Sequence, residues 1–92
     1  MALLDPDEID ERMRSLDGWS REGETIVKSF THGDFLGSID FVNRVAPLAE
    51  EMGHHPDLAI SWATVEVTIT THSQGGLTAS DFALAGRIDG LS

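Results

Sequence analysis

The chain has 92 residues, with 6 Lys and Arg against 16 Asp and Glu, so its formal net charge is −10. This length fits one small domain, and the acidic balance argues against a surface for nucleic acid or an anionic membrane. The absence of cysteine excludes disulfides, thiolate metal sites and cysteine nucleophiles. We expect a single domain over residues 1–92, located in the cytoplasm because the acidic N-terminus is unlike a basic signal peptide.

The chain opens with the signals of a first helix. Asp5 is placed as the N-cap, Pro6 as the first helical residue and Glu8 at the capping-box position. An apolar stripe at helical spacing follows, formed by Ile9, Met13 and Leu16. Gly18 predicts the end of this helix.

A hairpin and a long helix are predicted next. Residues 19–30 contain β-branched and aromatic residues on both sides of a plausible turn at 22–24, which indicates a β-hairpin. Asp34 is placed to cap a helix whose apolar residues keep the helical period as far as Met52. Pro47 lies inside this pattern and removes a backbone donor, so the helix either kinks there or gives way to a second helix.

The second half of the chain predicts another hairpin and a last helix. Apolar and polar residues alternate in 58–62 and again in 65–69, with a bend expected at 63–64. Thr78 is placed as an N-cap, with Asp81 at the third helical position. The predicted order is α-β-β-α-β-β-α. It indicates an α+β two-layer sandwich, in which a four-stranded antiparallel sheet carries three helices on one face.

Three of the four histidines lie at predicted junctions between elements. His54 and His55 follow the long helix, and His72 follows a strand. Pro56 forces His55 toward an extended backbone, so the two adjacent imidazoles should point in different directions. Such a pair can line two sides of a ligand but is poorly arranged to bind one metal ion. Glu50 precedes His54 by four residues and should share a helix face with it.

Each of these residues also has an ordinary structural interpretation. A histidine such as His54 at a helix C-terminus is often a favourable charge–dipole contact, and Glu50 is typical of a solvated helix position. Asp81 supports a helix start, Trp62 suits the core and His32 suits a loop. Taken singly, none of them predicts a function.

Three segments together form a far more specific pattern. They are residues 50–57 (EEMGHHPD), Trp62 with the strand 65–69, and residues 71–81 (THSQGGLTASD). In these segments, and in 16–19 and 30–41, the chain resembles the pterin-4a-carbinolamine dehydratases. The resemblance covers nearly the whole chain, and that family's fold has the element order predicted above.

The resemblance implies a hydro-lyase that converts 4a-hydroxytetrahydropterin to quinonoid dihydropterin and water, in tetrahydropterin recycling. His54, His55 and His72 would be the catalytic histidines. Glu50, Asp81 and Trp62 would be the substrate-binding residues. No metal and no redox cofactor is implied, and the expected small-molecule partner is a pterin.

The implied reaction needs an acid and a base, because hydroxide is a poor leaving group and a ring proton must also leave. Imidazole suits both roles, since its unperturbed pKa is about 6.5. We expect His55 and His72 to flank the reacting edge, with the choice of acid and base left open, and His54 to position the hydroxyl group. Asp81 is expected to orient His72 or to hold its imidazolium, and Glu50 to accept hydrogen bonds from the pterin.

The mode of assembly and two alternative functions stay open. A homodimer or homotetramer is expected, through sheet edges or the long helix, and a neighbouring subunit could complete the pocket. A non-catalytic interaction or coactivator module on the same fold is the alternative to catalysis. A metal-dependent enzyme that uses Glu50 and three histidines is disfavoured by the diverging imidazoles of His54 and His55.

Overall fold

The computed structural model describes residues 2–91. In this range three α-helices and four β-strands follow one another in the predicted order, with a short 3₁₀ turn after the last strand. The elements are α1 (Pro6–Arg14), β1 (Ser20–Glu22), β2 (Thr25–Thr31), α2 (Phe35–Met52), β3 (Asp57–Ser61), β4 (Thr64–Ile69), the 3₁₀ turn (His72–Gln74) and α3 (Ala79–Asp89). Within residues 2–91, no helix is long and apolar enough to cross a membrane.

The four strands form one antiparallel sheet in the order β1-β2-β4-β3. Its registers pair Ile26 with Ile69 and Phe30 with Val65, and these four residues are buried on one face. Residues between them, such as Glu66, point to the opposite, more polar face. Side chains from all three helices join the sheet residues in one hydrophobic core. The predicted α+β fold is therefore confirmed.

Capping residues set the starts of the first two helices as predicted. The N–H of Glu8 donates to Oδ1 of Asp5 at 2.9 Å, which forms the expected capping box. The N–H of Gly37 donates to Oδ1 of Asp34 at 2.7 Å. Helix α1 ends at Arg14, with Ser15 as its C-cap, earlier than expected. Gly18, with a φ of 83°, lies in the turn that follows.

Helix α2 continues through Pro47 to Met52, so the alternative of a second helix beginning at Pro47 is wrong. The proline removes the helical donor for the carbonyl of Asn43. Both residues are exposed, so solvent can reach this part of the helix. The helix ends at Met52, and its C-cap Gly53 has a left-handed φ of 62°.

The turn between β3 and β4 consists of Trp62 and Ala63, one residue earlier than predicted. Ser61 and Thr64 form the last strand pair, so Trp62 occupies the first turn position, with a φ of 50°. Its side chain is 73% exposed, and the interpretation of Trp62 as a core residue is wrong. Trp62 fits the apolar alternation of β3, but the strand ends at Ser61 and a residue in a two-residue turn does not face the core.

Candidate active site

The histidines lie where several elements meet at one end of the sheet. Asp57, the first residue of β3, pairs with Thr68 near the end of β4. The connection from α2 to β3 carries His54 and His55, and the first turn of α3 carries Asp81. We call this region the histidine junction: Glu50, His54, His55, His72 and Asp81, with the backbone segments that carry them.

His54 contacts a carboxylate that is fully buried. Nε2 of His54 lies 2.6 Å from Oδ1 of Asp81, and the His54 side chain is 14% exposed. Oδ2 of Asp81 accepts from the Thr71 hydroxyl at 2.8 Å and from the N–H of Thr78 at 2.7 Å. An ionised carboxylate only accepts hydrogen bonds, so Asp81 favours the His54 ring with its proton on Nε2. In that tautomer Nδ1 of His54 carries no proton.

His55 contacts a different carboxylate, on the surface. Its Nε2 lies 2.6 Å from Oε2 of Glu50, and both side chains are more than half exposed. Glu50 was expected to share a helix face with His54. Instead, the left-handed Gly53 ends the helix and places His54 outside it, so that pairing is wrong. The two adjacent histidines contact separate carboxylates, in agreement with the expected divergence of their rings.

His72 opens the 3₁₀ turn and is exposed. Asp81 was expected to orient His72 or to hold its imidazolium. In the structure the Asp81 carboxylate contacts His54, Thr71 and Thr78, and its role toward His72 stays a prediction. The segment 71–76 is closed by backbone hydrogen bonds in both directions between Thr71 and Gly76. Sequence reasoning missed Thr71, whose position directly before His72 was its only signal.

Trp62 lies away from the other predicted site residues in the same chain. It follows β3, whereas His54 and His55 lie just before that strand. Trp62 is five positions beyond Asp57 along the strand, which at about 3.3 Å per residue corresponds to roughly 16 Å. The structure therefore brings together Glu50, His54, His55 and Asp81, with His72 on the adjoining turn, but not Trp62.

Other features of the described chain lie outside this junction. A cavity of about 300 Å³ lies at the far end of the sheet and is lined in part by His32, Phe41 and Arg44. His32 lies in the connection between β2 and α2, as expected for a loop residue. Within residues 2–91, no group of three or more His, Asp or Glu side chains is placed to hold a metal ion.

The fold and the junction define a class: a small α+β protein whose sheet end presents histidines supported by carboxylates. The model of the family Pterin 4 alpha carbinolamine dehydratase matches residues 2–91. The chain belongs to the pterin-4a-carbinolamine dehydratase family.

Curated relatives align with almost the entire chain. A protein of Thermosynechococcus vestitus, named "Putative pterin-4-alpha-carbinolamine dehydratase", is 48% identical over 97% of this chain and 94% of its own. A protein of Roseiflexus castenholzii with the same name is 50% identical over 96% of this chain and 95% of its own.

Two solved structures are similar as well. A transcriptional coactivator/pterin dehydratase from Brucella melitensis superposes with a TM-score of 0.93, at 34% identity over 98% of both chains. A pterin dehydratase-like protein, identified as a RuBisCO assembly factor in the alpha-carboxysome, gives a TM-score of 0.70 at 27% identity. That match covers 82% of this chain and 89% of the other.

Proposed function

We propose that the protein catalyses the dehydration of 4a-hydroxytetrahydropterin to quinonoid dihydropterin, by histidine acid–base catalysis. The observation that carries this proposal is the contact of His54 with the buried Asp81, beside the contact of His55 with Glu50. An imidazole held by a carboxylate through one nitrogen keeps a defined second nitrogen for proton transfer. Membership of the family supplies the substrate class.

The chemistry requires one group that protonates the departing hydroxide and one that accepts a proton from the pterin ring. His54, His55 and His72 are the candidates. Asp81 holds His54 through Nε2, and this contact is more buried than that of His55 with Glu50, so His54 has the more defined ring of the two adjacent histidines. His72, on the exposed turn, approaches the site from a different segment of the chain. Acid–base assistance of this kind typically contributes about 10²–10⁴-fold to a rate.

Glu50 is proposed to bind the amino-pyrimidinone edge of the pterin. Its present partner, His55, forms an exposed pair with it, and exposed ion pairs contribute only about 0.2–1 kcal/mol. A substrate with donors arranged for a carboxylate can displace such a contact at little cost. Displacement would also release His55 for the reaction.

The test is a stopped assay in which 4a-hydroxytetrahydropterin is generated in place, with and without the protein. The wild type should accelerate dehydration, and His55→Ala and His72→Ala should each lower the rate by about 10²-fold or more while the fold is kept. Circular dichroism checks the fold. Full activity in both variants would overturn the assignment of these histidines.

We further propose that the protein forms a homodimer or homotetramer. Strand β3 is at an edge of the sheet, so its outer backbone groups are open to pairing with another strand. Phe35, Leu36 and Trp62 are large apolar residues that are at least half exposed. Burial between subunits would account for this exposure, and it gives Trp62 a way to contact a neighbouring chain's pocket.

An interaction or coactivator role is the second candidate, because one of the two similar structures is a transcriptional coactivator/pterin dehydratase and the other is a RuBisCO assembly factor. A double variant of His54 and His55 that abolishes dehydration but leaves a defined partner complex intact would support a separate role. Cytoplasmic location, and action without a metal or cofactor, stay predictions from the sequence.

A further inference from the structure

Thr71 belongs to a buried polar network behind the histidine junction. Its hydroxyl donates to Oδ2 of Asp81 at 2.8 Å and lies 2.9 Å from the Thr78 hydroxyl. Because Thr71 has only one hydroxyl hydrogen, the Thr78 hydroxyl is the donor between the two threonines. All three residues are buried. Oδ1, the other oxygen of Asp81, contacts Nε2 of His54 at 2.6 Å.

The backbone of Thr71 holds the turn that carries His72. Its carbonyl accepts from the N–H groups of Gln74 and Gly75, each at 3.0 Å. Its own N–H donates to the carbonyl of Gly76 at 3.1 Å. Thr71 therefore contacts both sides of the junction, through its side chain toward His54 and through its main chain toward His72.

We propose that Thr71 is a positioning residue, which fixes His54 through Asp81 and places His72 relative to it. This inference rests on the proposed function, because it assigns to Thr71 a part in preparing those histidines for proton transfer. Thr71 does not itself touch the reacting atoms in this role. Its contribution is to hold the carboxylate plane of Asp81 in one orientation.

The hydroxyl matters because the terminal torsion of an Asp side chain is soft and populates a broad range of angles. Two donors, the hydroxyl of Thr71 and the backbone N–H of Thr78, bind Oδ2 of Asp81. They hold the carboxylate so that Oδ1 faces His54. Without the Thr71 hydroxyl, one donor is lost and the carboxylate can turn. The neutral ring of His54 would then divide its proton between Nε2 and Nδ1, and part of the population would lose the nitrogen needed for the reaction.

The experiment compares Thr71→Val, which removes the hydroxyl, with Thr71→Ser, which retains it. Thr64→Val is the matched control, since Thr64 is a half-buried threonine at the opposite end of β4. We expect Thr71→Val to lower kcat by about tenfold, as for loss of a hydrogen bond to a charged group. KM should stay within about twofold, because substrate contacts are kept. Thr71→Ser should recover most of kcat, and Thr64→Val should match the wild type.

The second readout is the ring tautomer of His54, measured by ¹⁵N NMR of histidine-labelled protein. The wild type should show the neutral ring with its proton on Nε2, and Thr71→Val should add a population with the proton on Nδ1. A merely structural role of Thr71 would lower stability without this change. Thr71→Ala, which also removes the hydroxyl but fills less space, provides a second test if Thr71→Val folds poorly.

The two proposals can fail separately. If the wild type does not dehydrate the pterin, the proposed function fails, and the tautomer of His54 alone decides the role of Thr71. An unchanged tautomer in folded Thr71→Val or Thr71→Ala would overturn the positioning role. Equal kcat values in Thr71→Val and Thr64→Val would overturn it as well.

Discussion

At the scale of the residue, two adjacent histidines have opposite environments. His54 contacts a carboxylate that is fully buried and bonded to Thr71 and Thr78, whereas His55 contacts Glu50 at the surface. Both contacts measure 2.6 Å, so distance does not distinguish them. Burial distinguishes them. Water can replace the lost partner of an exposed acceptor, but it cannot reach a buried one.

This difference predicts unequal effects of the same chemical change at the two carboxylates. Asp81→Asn places an amide donor against His54 or against the donors on Oδ2, so it should destabilise the fold by about 1–3 kcal/mol. It should also lower kcat by about 10²-fold, since it favours the wrong ring tautomer. Urea unfolding and the dehydration assay measure the two effects.

Glu50→Gln is the control for that change. Because Glu50 is exposed, its free energy of unfolding should stay within about 0.5 kcal/mol of the wild type, while KM rises through weaker pterin binding. Equal losses of stability in Asp81→Asn and Glu50→Gln would contradict this account of the two pairs.

At the scale of the element, local signals were sufficient to predict the order of helices and strands. Asp5 and Asp34 cap the helices that they were expected to cap, because capping depends on residues within one turn. The partner of Asp81 could not be predicted in this way. It depends on how the end of α2 meets the start of α3, and that contact between His54 and Asp81 spans 27 residues.

Gly53 shows how one backbone conformation decided the pairing within the site. His54 was correctly predicted to lie next to the end of the long helix. If the helix had continued to His54, its side chain would lie on the same face as Glu50. The left-handed glycine turns the chain after Met52, and the partly buried ring of His54 contacts Asp81 instead. A glycine after a helical pattern is itself a recognised end signal, so this part of the site was within reach of sequence reasoning.

Gly53→Ala tests that role. A Cβ at this position would meet no atom within 4 Å, so any effect comes from the φ of 62° and not from a clash. We expect the substitution to destabilise the fold by about 1 kcal/mol and to reduce activity through a displaced His54. Unfolding by urea and the assay provide the measurements.

Gly86→Ala is the matched control, since Gly86 lies inside α3 and a Cβ there also meets no atom within 4 Å. It should stabilise the protein by about 0.5–1 kcal/mol, because alanine favours a helix interior, and leave activity unchanged. A similar loss of stability in both variants would show that the conformation of Gly53 is not the cause.

At the scale of the whole molecule, the two ends of the sheet differ in character. The histidine junction is at one end, and the turn with Trp62 is at the other. The Ser38 hydroxyl donates to the carbonyl of Trp62 at 2.7 Å, which holds this turn against the first part of α2. Phe35 and Leu36 begin that helix, so the exposed apolar residues lie on two elements that are directly joined.

Trp62→Ser tests whether these residues mediate self-association. If Trp62 is buried between subunits, its loss should raise the dissociation constant of the oligomer by about 30-fold or more, as for a buried aromatic residue at an interface. Analytical ultracentrifugation over a range of concentrations measures this change. Trp62→Phe, which keeps most of the apolar surface, should retain the oligomer. A wild-type protein that stays monomeric at all concentrations would contradict the proposal.

The position of Asp81 has one more consequence, for how this protein can change over evolution. Residues at active sites commonly lower the stability of the fold, so substitutions there often raise stability while they lower activity. Asp81 is at the N3 position of the capping box that begins α3, and it is also the carboxylate that contacts His54. A substitution here should reduce both properties at once. Selection for a stable fold alone would therefore tend to preserve this aspartate, even in a descendant that no longer used the reaction.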